Sequence, residues 1–150
     1  MNILVVDDES EYRILVGGFL KDQGWTVFLA GDGEEGLDIL FRETIDIIVS
    51  DIYMPVMDGL KFHKTVRSNE KFSKIPFLFV SAYDDRYTME AVKDAKFDGF
   101  SRKGRPVSDL KAWIEYLTTP VDRRPSAPPG ERPKPASDDW RRAQPRPRRH

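Results

Sequence analysis

The chain has 150 residues, no cysteine and a formal net charge of -1, with 39% hydrophobic and 33% charged residues. That length suits one domain with an ordinary core, and the lack of cysteine excludes a disulfide framework, a zinc-thiolate site and a thiol nucleophile. Ile3-Leu4-Val5-Val6 lacks a basic leader and stops at Asp7-Asp8-Glu9, so it does not read as a signal peptide. No apolar stretch approaches the roughly 20 residues of a membrane span, and the expected setting is the cytoplasm.

Short apolar runs alternate with longer amphipathic ones. Residues 3–6 read as a strand, followed by a helix over 11–22 with Ile14, Leu15, Phe19 and Leu20 inward and Gly24 at its close. A second strand (25–30) precedes a helix over 34–42 with Leu37, Leu40 and Phe41 inward. A third strand (45–50) and a helix over 60–68 come next, with His63 expected at a solvated position beside Lys61 and Lys64. Pro76 opens a fourth strand, 76–81, which precedes a helix over 88–95. A short fifth strand (99–101) and a helix over 107–117 with Leu110, Ile114 and Leu117 inward complete the folded part, Trp113 and Tyr116 flanking that stripe. Those two aromatics read as edge packing or as a partner face. Five βα units with nearly all-apolar strands imply a parallel sheet covered on both faces, a doubly wound α/β fold.

The folded domain is expected to end near Thr118 or Thr119. Residues 120–150 carry eight of the eleven prolines and nine Lys/Arg against four acids, whereas residues 1–119 hold 15 bases and 21 acids. Such a tail cannot bury enough apolar surface to offset its ordering entropy, so 120–150 reads as a disordered, Pro/Arg-rich basic extension. Trp140 within it is a candidate docking residue. The interrupted charge of the tail is a weak signal for nucleic acid. His63 and His150 are too scattered to form a metal cluster.

In doubly wound sheets, functional groups gather outside the carboxyl ends of the strands. Asp7 and Asp8 follow the first strand, Asp51 the third, Ser81 the fourth and Lys103 the fifth. Three carboxylates, a hydroxyl and a lysine are thus predicted to converge on one crevice. Carboxylates that crowd together need a counter-charge. Oxygen ligands with open water positions suit Mg²⁺, and a carboxylate can take a phosphoryl group as an aspartyl phosphate, with Mg²⁺ and an ammonium stabilising the equatorial oxygens.

"VVDDE" at 5–9, "SDIYMPVMDG" at 50–59, "FVSAY" at 79–83 and "FSRK" at 100–103 resemble the receiver domain of two-component response regulators, over about residues 2–117. The resemblance implies a flavodoxin-like (βα)5 fold with strand order 2-1-3-4-5. It also implies Asp51 as the phosphoacceptor, Asp8 as a direct Mg²⁺ ligand, Asp7 acting through water, and the Tyr53 carbonyl completing the metal shell. Ser81 becomes the switch hydroxyl, Lys103 the phosphoryl-contacting lysine, and Phe100 the aromatic that changes rotamer on activation. The implied partners are a histidine kinase or phosphotransfer protein, a downstream protein, and a second copy through the fourth helix, fifth strand and fifth helix. No metabolic enzyme activity is implied. Two departures stand out: Gly104 follows Lys103 where the family carries proline, often after a cis bond, and Lys96-Phe97 replaces a small Gly-Ala pair. The first leaves the aim of Lys103 and the isomer of the Lys103–Gly104 bond open, and with them a phosphate-independent interaction module.

Two other readings compete. Gly31-Asp32-Gly33-Glu34-Glu35-Gly36 fits G-x-G-x-x-G, but its three acids occupy the place of a pyrophosphate at a helix N-terminus. It reads as a turn and helix start. A small-molecule aspartyl phosphatase would carry a second acid where this chain has Tyr53.

Overall fold

The computed structural model describes residues 1–83, 86–90 and 92–129. The elements run β1 (Asn2–Val6), α1 (Ser10–Asp22), β2 (Thr26–Ala30), α2 (Gly33–Arg42), β3 (Ile47–Ser50), α3 (Gly59–Ser68), β4 (Phe77–Ser81), α4 (Arg86–Met89), β5 (Asp98–Arg102) and α5 (Ser108–Thr118). The five strands pair in parallel in the order β2-β1-β3-β4-β5, as expected. Alternate residues of each strand point to opposite faces, which divides the core in two. Leu4, Val6, Phe77, Phe79 and Phe100 pack with Ile39, Leu40, Phe62 and Val66 on one side. Ile3, Val5, Leu78 and Val80 pack with Val16, Leu20, Leu110, Trp113 and Ile114 on the other. Trp113 is thus a core residue, lying over Gly99, where a Cβ would meet its ring at 2.6 Å. It is not available to a partner face. Tyr116 packs beside it, ring centroids 5.7 Å apart.

Several side chains fall elsewhere than their periodicity suggests. Ile14 and Leu15 are exposed, 66% and 56%, rather than inward. The buried face of α1 runs through Val16, Gly17 and Leu20, because Gly17 lets the helix approach the Leu29 side chain of β2, leaving 3.2 Å for a Cβ. At about 100° per residue, Ile14 then stands on the far side from Val16. On α2, Phe41 is also exposed, although its ring meets that of Phe72 edge-on at 5.1 Å; Gly36 sets the contact with Phe62 and Val6, and Ile39 and Leu40 turn inward.

His63 is not solvated. It lies on the buried face of α3 beside Phe62 and Val66, its ring against Phe77 and Phe79, and its Nε2 lies 3.0 Å from Asp98 Oδ1. Asp98 Oδ1 also accepts from Arg67 at 2.8 Å, and Oδ2 accepts from the backbone N–H of Lys93 and Asp94. Burial alone would raise the Asp98 pKa; the hydrogen bonds and charges of His63 and Arg67 outweigh it and hold the carboxyl below its ordinary value. The same carboxylate shortens the fourth helix. It takes the N–H donors of Lys93 and Asp94 out of any helical ladder, so the helix expected over 88–95 is one turn, Arg86–Met89.

A 3-10 turn, Val121–Arg123, follows α5. Arg124 then donates to the carbonyls of Thr119, Leu117 and Lys96 and lies 5.0 Å from the centroid of the Tyr116 ring. Trp140, His150 and the remainder of the basic extension lie outside the described residues.

Candidate functional site

The sheet register assembles the crevice. Val6 pairs with Ser50 and Ser81 with Arg102, so the chain leaves β1, β3, β4 and β5 side by side. The Asp7 N–H donates to Ala30 O, that of Asp51 to Val6 O and that of Lys103 to Ser81 O, each an extension of the ladder by one residue. This places Asp7 and Asp51 at buried positions, 2% and 6% exposed, while Asp8 remains exposed. One carboxylate oxygen from each of Asp7, Asp8 and Asp51 lies within 4.8 Å of the others. Such a compact all-oxygen donor set fits a hard divalent cation.

Lys103 reaches into this cluster. Its Nζ lies 3.0 Å from Asp7 Oδ2, 3.0 Å from Asp51 Oδ2 and 2.6 Å from Glu9 Oε1, and 4.7 Å from the centre of the Tyr12 ring. All described peptide bonds are trans, Lys103–Gly104 included. The family's proline is therefore not needed to aim this lysine. Burial pushes the Asp51 carboxyl above its ordinary pKa and Asp7 likewise, against the pull of Lys103 on both. Burial would lower the Lys103 pKa, but hydrogen bonds to Glu9, Asp7 and Asp51 raise it well above the ordinary value. Burial also pushes the Tyr12 hydroxyl up to about 12. One ammonium thus serves three carboxylates, two of them buried. Glu9 and Tyr12 were not singled out in the sequence; the adjacency of Glu9 to the acid pair was the one available signal.

Asp51 Oδ1 accepts from its neighbour's N–H, Ile52, at 2.6 Å, which fixes the carboxylate plane. Ser81 is fully buried at the end of β4, and its Oγ accepts from the Tyr83 N–H at 3.2 Å. Tyr53 lies in the loop after Asp51, its ring against those of Tyr83 (5.3 Å) and Tyr87 (5.6 Å), and the Tyr87 hydroxyl donates to Asp58 Oδ2. Phe100 does not join the crevice. It is 5% exposed and packs in the core on the α2–α3 side of the sheet.

The loop returns to α3 through Val56, which has φ +69°, and Asp58, whose side chain accepts from the Lys61 N–H as the helix cap. A β-branched residue in the left-handed region is strained, by on the order of 1–3 kcal/mol. Val56 is 70% exposed, so little burial opposes its replacement. Val56→Asn is expected to raise stability by roughly 1 kcal/mol in urea unfolding; an unchanged or lower midpoint would show that the valine side chain is held by contacts worth more than the strain.

The glycines of the 31–36 segment have packing roles. Asp32 accepts from the Glu35 N–H and Glu35 Oε1 from the Gly31 N–H, a reciprocal cap, while Gly33 meets Met57 and Gly36 meets Phe62. The acids hold the helix start that a dinucleotide would need.

Residues 3–115 match the family of response regulator receiver domains. The chain is 31% identical over 118 residues to a probable chemotaxis protein CheY of Rhizobium etli, covering 78% of this chain and 92% of that one. Among solved structures, chemotaxis protein CheY4 of Vibrio cholerae superposes with a TM-score of 0.72 at 29% identity, over 77% of this chain and 97% of that one. Response regulator TrrA of Thermotoga maritima, solved in complex with Mg²⁺-BeF, gives 0.66 at 28% identity, over 77% and 97%. No helix among the described residues is long and apolar enough to cross a membrane. With five parallel strands in this order and an acidic crevice at their carboxyl ends, the chain belongs to the receiver domain family of two-component response regulators.

Proposed function

We propose that this receiver accepts a phosphoryl group on Asp51 from the phosphohistidine of a histidine kinase or phosphotransfer protein, and signals through protein contacts that depend on that phosphorylation. The observation that carries the reading is the triad of Asp7, Asp8 and Asp51 carboxylates with the Lys103 ammonium 3.0 Å from the Asp51 carboxylate. Asp7, Asp8, Asp51 and the Tyr53 carbonyl would hold Mg²⁺, which supplies charge neutralisation for the phosphoryl oxygens.

The chain's own groups account for the rest. An Asp51 oxygen attacks phosphorus in line as the P–N bond to the donor imidazole breaks, and the imidazole leaves with the electron pair. The nucleophile must be ionised, and Lys103 favours that form against burial. The ammonium then faces the equatorial oxygens of the product, and the Ser81 hydroxyl, freed from the Tyr83 N–H, donates to one of them. Phe100 and the face of α4, β5 and α5, expected also to serve a homodimer, are the elements this movement would bias.

The test is intact-protein mass after incubation with acetyl phosphate and Mg²⁺, beside Asp51→Ala and an EDTA-treated sample. One added phosphoryl group in wild type, absent from both controls, is expected. No gain with acetyl phosphate or with a phosphorylated kinase would overturn the reading in favour of a phosphate-independent interaction module.

A further inference from the structure

A second charged cluster lies away from the carboxylate crevice, between α3 and the segment leading into β5. Lys61, Lys64 and Arg67 from α3, Lys74 from the turn before β4, and Lys93 and Phe97 from the segment after α4 line one cleft of about 1060 Å³. Its five cations meet only two carboxylates, Asp94 and Asp98, a net of +3, in a domain where acids outnumber bases by 21 to 15. Both acids are committed: Asp94 Oδ1 accepts from the Lys96 N–H, and Asp98 is bound to His63, Arg67 and two backbone N–H groups. Among the described residues, Lys61, Lys64, Lys74 and Lys93 make no ion pair.

A concave wall focuses the field of like charges gathered on it and concentrates ions of opposite sign. Of the five cations, Arg67 is the one held in place. Asp98 binds its Nη2, the Phe72 carbonyl accepts from its Nη1 at 3.5 Å, and its guanidinium carbon lies 5.9 Å from the centre of the Phe97 ring, so that part of the five-donor fork remains for a ligand. An aromatic wall, a positioned guanidinium and four lysines without partners suit a planar group joined to phosphates. The volume is close to the upper range of small-molecule sites, about 1,000 Å³. The cations come from three separate segments around a concavity, which favours a compact ligand over an acidic protein strand that would follow one flat face.

We propose that this cleft is a second binding site, for a soluble phosphorylated molecule of nucleotide size. Its phosphates lie among Lys61, Lys64, Lys74 and Lys93, and its ring lies along Phe97 and Arg67. The site shares no residue with the Asp51 crevice and stands whether or not Asp51 is phosphorylated.

The experiment is a titration of the full chain with ADP in EDTA, followed by amide chemical shifts at two salt concentrations. Saturable binding of one equivalent is expected, with shifts confined to α3, the turn before β4 and residues 92–98. The Lys61→Gln/Lys64→Gln double variant should weaken it by about tenfold, while Lys111→Gln on α5 leaves it unchanged. Lys61 and Lys64 are exposed and Lys111 is half-buried at the surface of α5, so the variants keep the fold. Any of four results overturns the proposal: shifts that scatter or fail to saturate; shifts at Asp7, Asp51 and Lys103 or in residues 130–150; equal affinity in the double variant; or an oligoglutamate of matched charge binding as tightly as ADP, which reassigns the cleft to acidic protein segments.

Discussion

Lys103→Met is expected to destabilise the metal-free domain by about 3 kcal/mol near neutral pH, because it strands two buried carboxylates. Asp7 is 2% exposed and Asp51 6%, and the Lys103 ammonium is 3.0 Å from each. Both carboxyls already titrate above their ordinary range because of burial, against the pull of Lys103. Losing that cation raises them further. A carboxyl whose pKa is higher in the folded state binds protons more tightly when folded, so the variant's deficit should shrink as pH falls and widen as pH rises through the carboxyl range. The lysine itself adds no slope there. Its folded pKa is raised above the ordinary 10.5, so its contribution is complete below that value and is lost only in strong alkali. Urea unfolding of both proteins at about pH 8 and about pH 5 measures the difference. Adding Asp51→Asn to Lys103→Met should recover part of it, since one of the stranded charges is gone. A deficit that is the same at both pH values, or that the second substitution deepens, would mean that the lysine acts through packing of its stem and not through its charge.

The placement of this charge cluster was legible in the sequence because it follows from period and topology. Apolar runs ending in Asp7, Asp51, Ser81 and Lys103 become strand ends, and a parallel sheet brings those ends to one edge. What escaped was whatever depends on the phase or length of a helix. Ile14 and Leu15 look inward by composition, yet Gly17 decides how α1 rolls onto β2. His63, between two lysines, reads as solvent-facing, while Asp98, thirty-five residues away, supplies the polar partner that permits its burial. That same aspartate ends α4 early by claiming two backbone donors, an event with no local signal in residues 88–95. Trp113 was ambiguous for a related reason: only the small residue opposite, Gly99, reveals that a large ring fits there. Phe100 sits in the core, and the rotamer change that the family resemblance implies for it would be a matter of dynamics that neither periodicity nor a single conformation encodes. Charge at strand ends is local information; the fit of one face on another is not.

Gly59→Ala should be more damaging than its single methyl suggests, whereas Gly104→Ala should be silent. A Cβ on Gly59 would stand 2.2 Å from the Asp51 carbonyl oxygen and 2.7 Å from Ile52 Cα. Both are backbone atoms of the segment that carries the Asp51 carboxylate. No rotamer change relieves such contacts, and the Gly59 N–H is itself bound to Ile52 O at 2.6 Å, so the loop and the first turn of α3 must separate. Overpacking of this kind typically costs about 1–3 kcal/mol when side chains can yield; with only backbone opposite, a loss of about 3 kcal/mol or more is expected. Phosphoryl uptake from acetyl phosphate should fall with it, because Asp51 is carried away from Asp7 and Lys103. At Gly104 nothing lies within 4 Å of the added Cβ and φ is not positive, so alanine should leave both stability and uptake unchanged. Measuring the pair side by side separates two demands for glycine within one site. If Gly59→Ala unfolds at the wild-type denaturant concentration and takes up phosphoryl normally, the 51–59 loop has slack, and the position of Asp51 is fixed by the β3 ladder alone.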